Sequence, residues 1–187
     1  MASGGETGEP RHDRHQTPLD PERILRQLND VGVEYLLIGG FAVVIHGYER
    51  LTGDLDICYA RSRENVTRLV GVLRSLHAWP RDWPEGLPFI LDVQTILNGD
   101  SFTFSTDAGD LDLVGTPAGS YGYPDLMPGT EAYELADMLV VHVVGLEDLI
   151  RLKRASGSNA HRAQKYLHDA AVLEEIRDRR RSNKPHD

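Results

Sequence analysis

The chain has a single cysteine, Cys58, among 187 residues. An internal disulfide is thereby excluded, and the usage suits a reducing cytoplasm. Nowhere is there a run of about 18 apolar residues, the length a helix needs to span a bilayer. Met1 to Thr17 is polar and lacks the apolar segment of a signal peptide. Punctuated by Pro10 and Pro18, residues 1–18 are expected to form a flexible polar tail. Positive charge is also in deficit. The net charge of −9 argues against unspecific clinging to nucleic acid. No internal repeat is found.

What is present supports one domain of ordinary size with a small helical appendage. A hydrophobic content of 40% is enough for a core. Charge is unevenly spread: ten of the 20 Lys and Arg residues lie from Ile150 onward, against five of the 29 Asp and Glu. Arg177 and Arg179 to Arg181 suit a solvated helix end favoured by the macrodipole. Arg151, Lys153, Arg154, Arg162 and Lys165 are not covered by that explanation.

Local patterns predict the elements. Asp20 and Pro21 start a helix as N-cap and first residue, Ile24, Leu25, Leu28 and Val31 give its apolar face, and Gly32 stops it. A strand over Glu34 to Ile38 feeds a Gly39-Gly40 turn, a short helix from Phe41 to His46 and a strand from Leu55 to Tyr59. Ser62 caps a helix carrying Val66, Leu69, Val70, Leu73 and Leu76. His77 to Pro88, with Trp79-Pro80 and Trp83-Pro84, reads as a loop. Strands are expected over Phe89 to Leu97, Ser101 to Ser105 and Leu111 to Val114, then a long surface loop from Thr116 to Thr130. Met138 to Val144 reads as a strand or strand pair, Leu146 to Ser156 as a helix, and His161 to Arg177 as the last helix. This order predicts an α+β fold, a mixed β-sheet with helices packed mainly on one side.

The chemistry concentrates between Gly39 and Asp56. A Gly turn at a helix start offers backbone N–H groups to phosphate. Asp54 and Asp56, two apart on a strand, point to one face. Alone, an Asp-x-Asp pair suits any exposed strand edge and a Gly-Gly pair any tight turn; within one strand–turn–helix–strand unit they are far more specific. Asp110 and Asp112 open a second apolar strand with the same alternation. If that strand lies beside the first, a third carboxylate joins the pair. Asp112 is the first choice and Asp110, which also suits a turn, the backup. Three unpartnered carboxylates repel, and Mg²⁺, with its preference for oxygen ligands and phosphate oxygens, resolves the conflict. Thr52 lies on the same face of the extended chain. His46, His142 and His161 lack the spacing of a zinc site. Cys58 is expected to pack in the core on the apolar side of its strand. Tyr121 and Tyr123 suit stacking on a base or packing of their own loop.

Gly39-Gly40, Arg50, Thr52, Asp54-x-Asp56, then Gly109-Asp-Leu-Asp112-Leu, then Leu146-Glu-Asp-Leu-Ile-Arg-Leu-Lys153-Arg154-Ala resemble the nucleotidyltransferase fold, and more narrowly the AbiEii/MenT-type nucleotidyltransferase toxins of bacterial toxin–antitoxin pairs. The resemblance runs from about Gly32 to Ile176. It implies a nucleotidyltransferase core over 19–145 and a C-terminal helical segment, 146–187, completing the active site. Gly39 and Gly40 would cradle phosphates with Arg50, Thr52, Lys153 and Arg154. Asp54, Asp56 and Asp112 would hold one or two Mg²⁺ ions (Mn²⁺ as a substitute), Asp112 alternatively taking the proton of the attacking hydroxyl. Lys153 would offset charge on the triphosphate. Asp169 matches a late acidic residue of the family and would contact the nucleotide or metal indirectly or orient Lys153; Tyr166 stands where many relatives carry another Asp.

The implied activity is transfer of a nucleoside monophosphate from an NTP, often a pyrimidine NTP, to the 3′ end of tRNA, which would block aminoacylation and translation in the cytoplasm. The basic helices after Ile150 would seat the acceptor stem. A cognate antitoxin is the implied protein partner, acting through phosphorylation at Thr52, where the added charge would oppose nucleotide binding. Two alternatives stay open: AMP transfer to a protein or a small molecule such as an aminoglycoside, and a catalytically silent binding module with the same fold.

Overall fold

The computed structural model describes residues 17–84, 87–158 and 163–183. The first helix, α1 (Pro21–Asp30), starts where expected: Asp20 accepts the Arg23 N–H at 3.0 Å, and Ile24, Leu25 and Leu28 are wholly buried. Burying each such side chain contributes about 2 kcal/mol. Then come β1 (Tyr35–Leu37), α2 (Gly39–Ile45), β2 (Asp54–Tyr59), α3 (Arg63–Ser75), β3 (Trp79–Pro80), α4 (Val93–Asn98), β4 (Ser101–Thr106), β5 (Gly109–Val114), α5 (Tyr123–Leu126), β6 (Glu131–Glu134), β7 (Val140–Val143), α6 (Leu146–Gly157) and α7 (Ala163–Ser182).

The strands form one mixed sheet in the order β3-β4-β5-β2-β1-β7-β6. β2 pairs parallel with β5 and β1 parallel with β7; the other neighbours are antiparallel. Leu55 and Ile57 of β2 and Leu111 and Leu113 of β5 all belong to the buried core, which also takes in the apolar faces of α1 and α3. Strand alternation sends Asp54, Asp56, Asp110 and Asp112 to the opposite face. Asn65 on α3 splices the centre of the sheet. Its Oδ1 accepts the Glu34 N–H at 2.7 Å, and its Nδ2 donates to the Glu34 and Ala60 carbonyls at 2.9 and 2.8 Å.

Three expectations need correction. Phe89 to Leu97 is not a strand: Asp92 Oδ1 accepts the Thr95 N–H at 2.7 Å and caps the helix α4. The 116–130 segment is not loop throughout, since α5 and a 3₁₀ turn over Met127–Gly129 lie inside it. Cys58 has the parity of Asp54 and Asp56, so it shares their face; farther along the strand that face is covered, and Cys58 is wholly buried. Burial pushes its thiol up to about 12, with Asp100 adding to the shift. Two strands were not expected, the two-residue β3 and the charged edge strand β6. His161 and Arg162, at the expected start of the last helix, lie outside the described residues; the helix runs past Arg177 to Ser182.

Candidate active site

Parallel pairing of β2 with β5 sets Asp54 opposite Asp110 and Asp56 opposite Asp112. One carboxylate oxygen from each of Asp54, Asp56 and Asp112 lies within 4.8 Å of the others. At that spacing and an effective dielectric near 20, each like-charge pair repels by about 3 kcal/mol. Burial raises the Asp56 carboxyl above its ordinary value, and Asp54 adds to the shift. Asp112 is pushed up to about 7, first by burial; Arg81 opposes the shift and Asp56 and Asp54 reinforce it.

The first residues of α2, Gly39 and Gly40, bring backbone to this face. Gly39 has φ +64°, a conformation that favours glycine, and a Cβ there would lie 1.9 Å from Asp56 Oδ2. The Gly40 N–H donates to Asp56 Oδ2 at 3.2 Å. A Cβ on Gly40 would lie 2.5 Å from Thr52 Oγ1 and 2.7 Å from Arg50 Nη2. Thr52 Oγ1 is 3.2 Å from both the carbonyl oxygen and Oδ1 of Asp54, to which it donates. Glycine, hydroxyl, guanidinium and carboxylates thus meet in one small space. Since α2 has only seven residues, its start offers individual N–H groups more than a macrodipole.

The C-terminal helices deliver the cations. Asp169 on α7, 1% exposed, accepts Arg50 Nη1 at 2.8 and 2.9 Å and pairs with Lys153 Nζ on α6 at 3.0 Å. Burial lowers the Lys153 ammonium from its ordinary value, while Asp169 supports the charged form. Lys153 also lies over the Tyr166 ring, 5.3 Å from its centroid. Lys153 and Lys165 both act electrostatically on Asp56, so this cationic group faces the trio. Arg50 Nε is buried with no hydrogen-bond partner among the described residues.

Asp54, Asp56, Asp112, Gly39, Gly40, Arg50, Thr52, Lys153 and Asp169 are therefore brought together. Arg154 is not: it is exposed and pairs with Glu174 at 2.5 Å. Tyr121 and Tyr123 line a cavity of about 350 Å³ with Tyr59, Arg61 and Ser62, past the far end of β2 from the carboxylates. His46 is buried, with Nε2 donating to the Val144 carbonyl at 2.8 Å. Asp110 joins the face but is held by Ser105 Oγ at 3.0 Å and Arg81 Nη1 at 2.8 Å. Arg81, which also donates to Asp112, was missed by sequence reasoning because its Trp-Pro surroundings announce only a loop.

The expected basic seat is largely spoken for. Arg151 pairs with Asp125 and Asp148, Arg177 with Glu147 and Asp178, Arg180 with Glu131, and Arg181 with Glu147. These contacts fasten α6 and α7 to each other and to the sheet edge.

Asp54, Asp56 and Asp112 offer oxygen ligands close enough together to hold a metal ion, the kind of donor that Mg²⁺ and Mn²⁺ prefer.

No protein-family model matches the chain, and no curated protein matches it. Solved structures do. The chain is similar to the lincosamide antibiotic adenylyltransferase LnuA bound to lincomycin, at 14% identity and TM-score 0.54 over 83% of this chain and 99% of that one. It is also similar to ANT(2'')-Ia in complex with adenylyl-2''-tobramycin, at 13% identity and TM-score 0.51 over 86% and 94% of the two chains. A third is an antigenic nucleotidyltransferase-like protein from Paracoccidioides brasiliensis, at 13% identity and TM-score 0.52 over 85% and 78%. The fold shared with these structures is that of nucleotidyltransferases.

Proposed function

We propose that this protein is a metal-dependent nucleotidyltransferase that moves a nucleoside monophosphate from an NTP to an acceptor hydroxyl. The observation that carries the reading is the juxtaposition of Asp54, Asp56 and Asp112 with the Gly40, Arg50 and Lys153 group on one side of them. In this reading the acceptor oxygen bonds to the α-phosphorus, the α–β bridging bond breaks, and pyrophosphate leaves. Asp54, Asp56 and Asp112 would hold Mg²⁺, which when bound neutralises the phosphate oxygens and the leaving group. Gly39 and Gly40 let backbone approach the phosphates. Arg50 and Lys153, steadied by Asp169, face the charge that grows as pyrophosphate departs. Asp112 would alternatively take the acceptor proton. Residues 19–145 would be the catalytic core and 146–187 the segment that completes it.

For the acceptor, the resemblance to AbiEii/MenT-type toxins supports the 3′ end of tRNA, with loss of aminoacylation and translation as the result. It also supports an antitoxin that acts by phosphorylating Thr52. The contact of Thr52 with Asp54 supports that mode of silencing, because a phosphate there would crowd the trio with like charge. A second reading, nucleotidyl transfer to a small hydroxyl compound, is favoured by the internal pairing of the C-terminal arginines, which leaves less free charge for an RNA stem. The tobramycin and lincomycin structures noted above show this fold with compounds of that class.

The test is incubation with Mg²⁺, each α-labelled NTP and, separately, total tRNA, protein extract and aminoglycosides, with Asp56→Ala in parallel. Label in tRNA 3′ ends, lost in the mutant, is expected. Label in drug alone would select the second reading. No label in any acceptor would overturn the enzyme reading, and label persisting in Asp56→Ala would overturn the assigned site.

A further inference from the structure

Arg81 has no role in the reaction just described, yet its side chain ends on the acidic face. Its backbone N–H donates to the Thr103 carbonyl at 2.8 Å, so it extends the β3 edge by one residue. From there Nη1 donates to Asp110 Oδ2 at 2.8 Å and Nη2 donates to Asp112 Oδ1. The side chain is 21% exposed. One guanidinium therefore straddles two carboxylates of β5, and only one of them belongs to the trio.

The sheet order gives the face two flanks. Reading from β3 to β1, Arg81 comes first, then Asp110 and Asp112, then Asp54 and Asp56, then the Gly40 turn with Arg50 and Lys153 beyond it. Cations stand on both flanks, but they are anchored differently. Arg50 and Lys153 are held by Asp169, which is outside the trio. Arg81 is held by the trio itself, through Asp112, and by the neighbouring Asp110. A cation whose partner is a prospective metal ligand has to yield that ligand when metal arrives.

We propose that Arg81 is the resting counter-ion of the metal site. It neutralises Asp112 while the trio is empty, and a divalent cation displaces it from Asp112 while Asp110 retains it. The inference rests on the metal-binding reading above. It gives Asp110 a definite task, which is to keep the released guanidinium beside the site. An in-line displacement puts the attacking oxygen opposite the leaving pyrophosphate. With the triphosphate cations on the Lys153 flank, the acceptor comes to the Arg81 flank. Arg81, held by Asp110, would then have a donor edge to turn toward the acceptor once metal holds Asp112.

A static strut would behave oppositely. If Arg81 only braced Asp112, its loss would loosen a ligand and weaken metal binding. If it competes with metal, its loss tightens binding. The sign of the change decides.

The experiment is Mn²⁺ titration of the full-length, nucleotide-free protein, followed by electron paramagnetic resonance, for the unmodified chain, Arg81→Gln, Arg81→Lys and Asp56→Asn. Arg81→Gln is expected to bind Mn²⁺ about tenfold tighter, the equivalent of one charge-assisted hydrogen bond no longer displaced. Arg81→Lys, which keeps the charge but loses the fork, is expected between the two. Unchanged or weaker binding in folded Arg81→Gln overturns the proposal and leaves the metal reading standing. Should Arg81→Gln fail to fold, unchanged or weaker binding by Arg81→Lys overturns it in the same way. Absence of any Mn²⁺ binding sensitive to Asp56→Asn overturns the metal reading, and this proposal with it.

Discussion

Asp169 holds two cations with one carboxylate, and the side chains of Asp169, Lys153 and Arg50 are only 2%, 6% and 12% exposed. Removing its charge leaves both cations buried without an anion. Asp169→Asn is therefore expected to cost about 3 kcal/mol or more, as breaking a buried ion pair from one side does. Urea denaturation measures it, and an unchanged midpoint would show that Arg50 and Lys153 find another anion. Gly40→Ala should act differently. Its Cβ would press on Thr52 Oγ1 and Arg50 Nη2, a hydroxyl and a side-chain end, so the fold should survive while NTP affinity falls about tenfold or more. Calorimetric titration with a non-hydrolysable NTP gives the affinity; wild-type affinity would remove Gly40 from the cradle. Gly39, Gly40, Asp54 and Asp56 were legible in sequence because strand alternation and a Gly-Gly turn are short-range rules, whereas Arg50, Lys153 and Asp169 came only from the family resemblance. The parallel pairing that brings Asp112 to Asp56 could be posed only as a condition, since 49 residues lie between the two strands. Arg81 was illegible because an arginine in a loop carries no periodicity, and its meaning comes only from the carboxylates across β4.

Elements were read well where one face is buried and badly where packing is thin. α1, α3 and α6 repeat apolar residues at helical spacing, and their positions agree with the sequence. Phe89 to Leu97 misled because an apolar, β-branched run suits a strand as well as a short helix. Of the residues in α4 only Ile96 is buried, so neither pattern is enforced, and the Asp92 cap decides. β3 has two residues and β6 alternates weakly between charged positions, so neither presents a strand signature. Asn65 shows how one polar residue can fix the relation between elements. It ties the residue before β1 to the residue after β2, and the strands between those ties carry the Gly turn and the Asp pair. Asn65→Ala would strand the Glu34 N–H and the Ala60 carbonyl and leave the Glu34 carbonyl with the Ala60 N–H alone, at a cost of about 3 kcal/mol. Thermal and urea unfolding should both register the loss, and a change within about 0.5 kcal/mol, typical of an unconstrained surface site, would mean that water replaces the amide.

For the molecule as a whole, acidity acts in two directions at once. The Asp112 and Asp56 carboxyls are raised by burial, so their ionised forms are disfavoured in the fold. Protonating Asp112 as pH falls from about 7 relieves repulsion and adds stability. His46 works the other way. Its imidazole, 2% exposed, is lowered below the ordinary 6.5, first by burial; the Val144 carbonyl and Glu131 oppose the shift and Arg180 adds to it. The unfolded chain then takes the proton more readily than the folded one, so stability is lost as pH falls below 6.5. The position matters because His46 ends α2 and bonds to Val144, just before α6, and so joins the glycine turn to the helix that carries Lys153. His46→Gln can keep a donor for the Val144 carbonyl but does not titrate. Melting temperatures for both proteins between about pH 7.5 and 5 should diverge only on the acid side, the unmodified chain falling relative to the variant once pH passes below the ordinary imidazole range. Because the carboxylates are common to both proteins, their opposing contribution cancels in the difference. Parallel curves would mean that the imidazole gains its proton equally in both states, and that acid acts on this fold through groups other than His46.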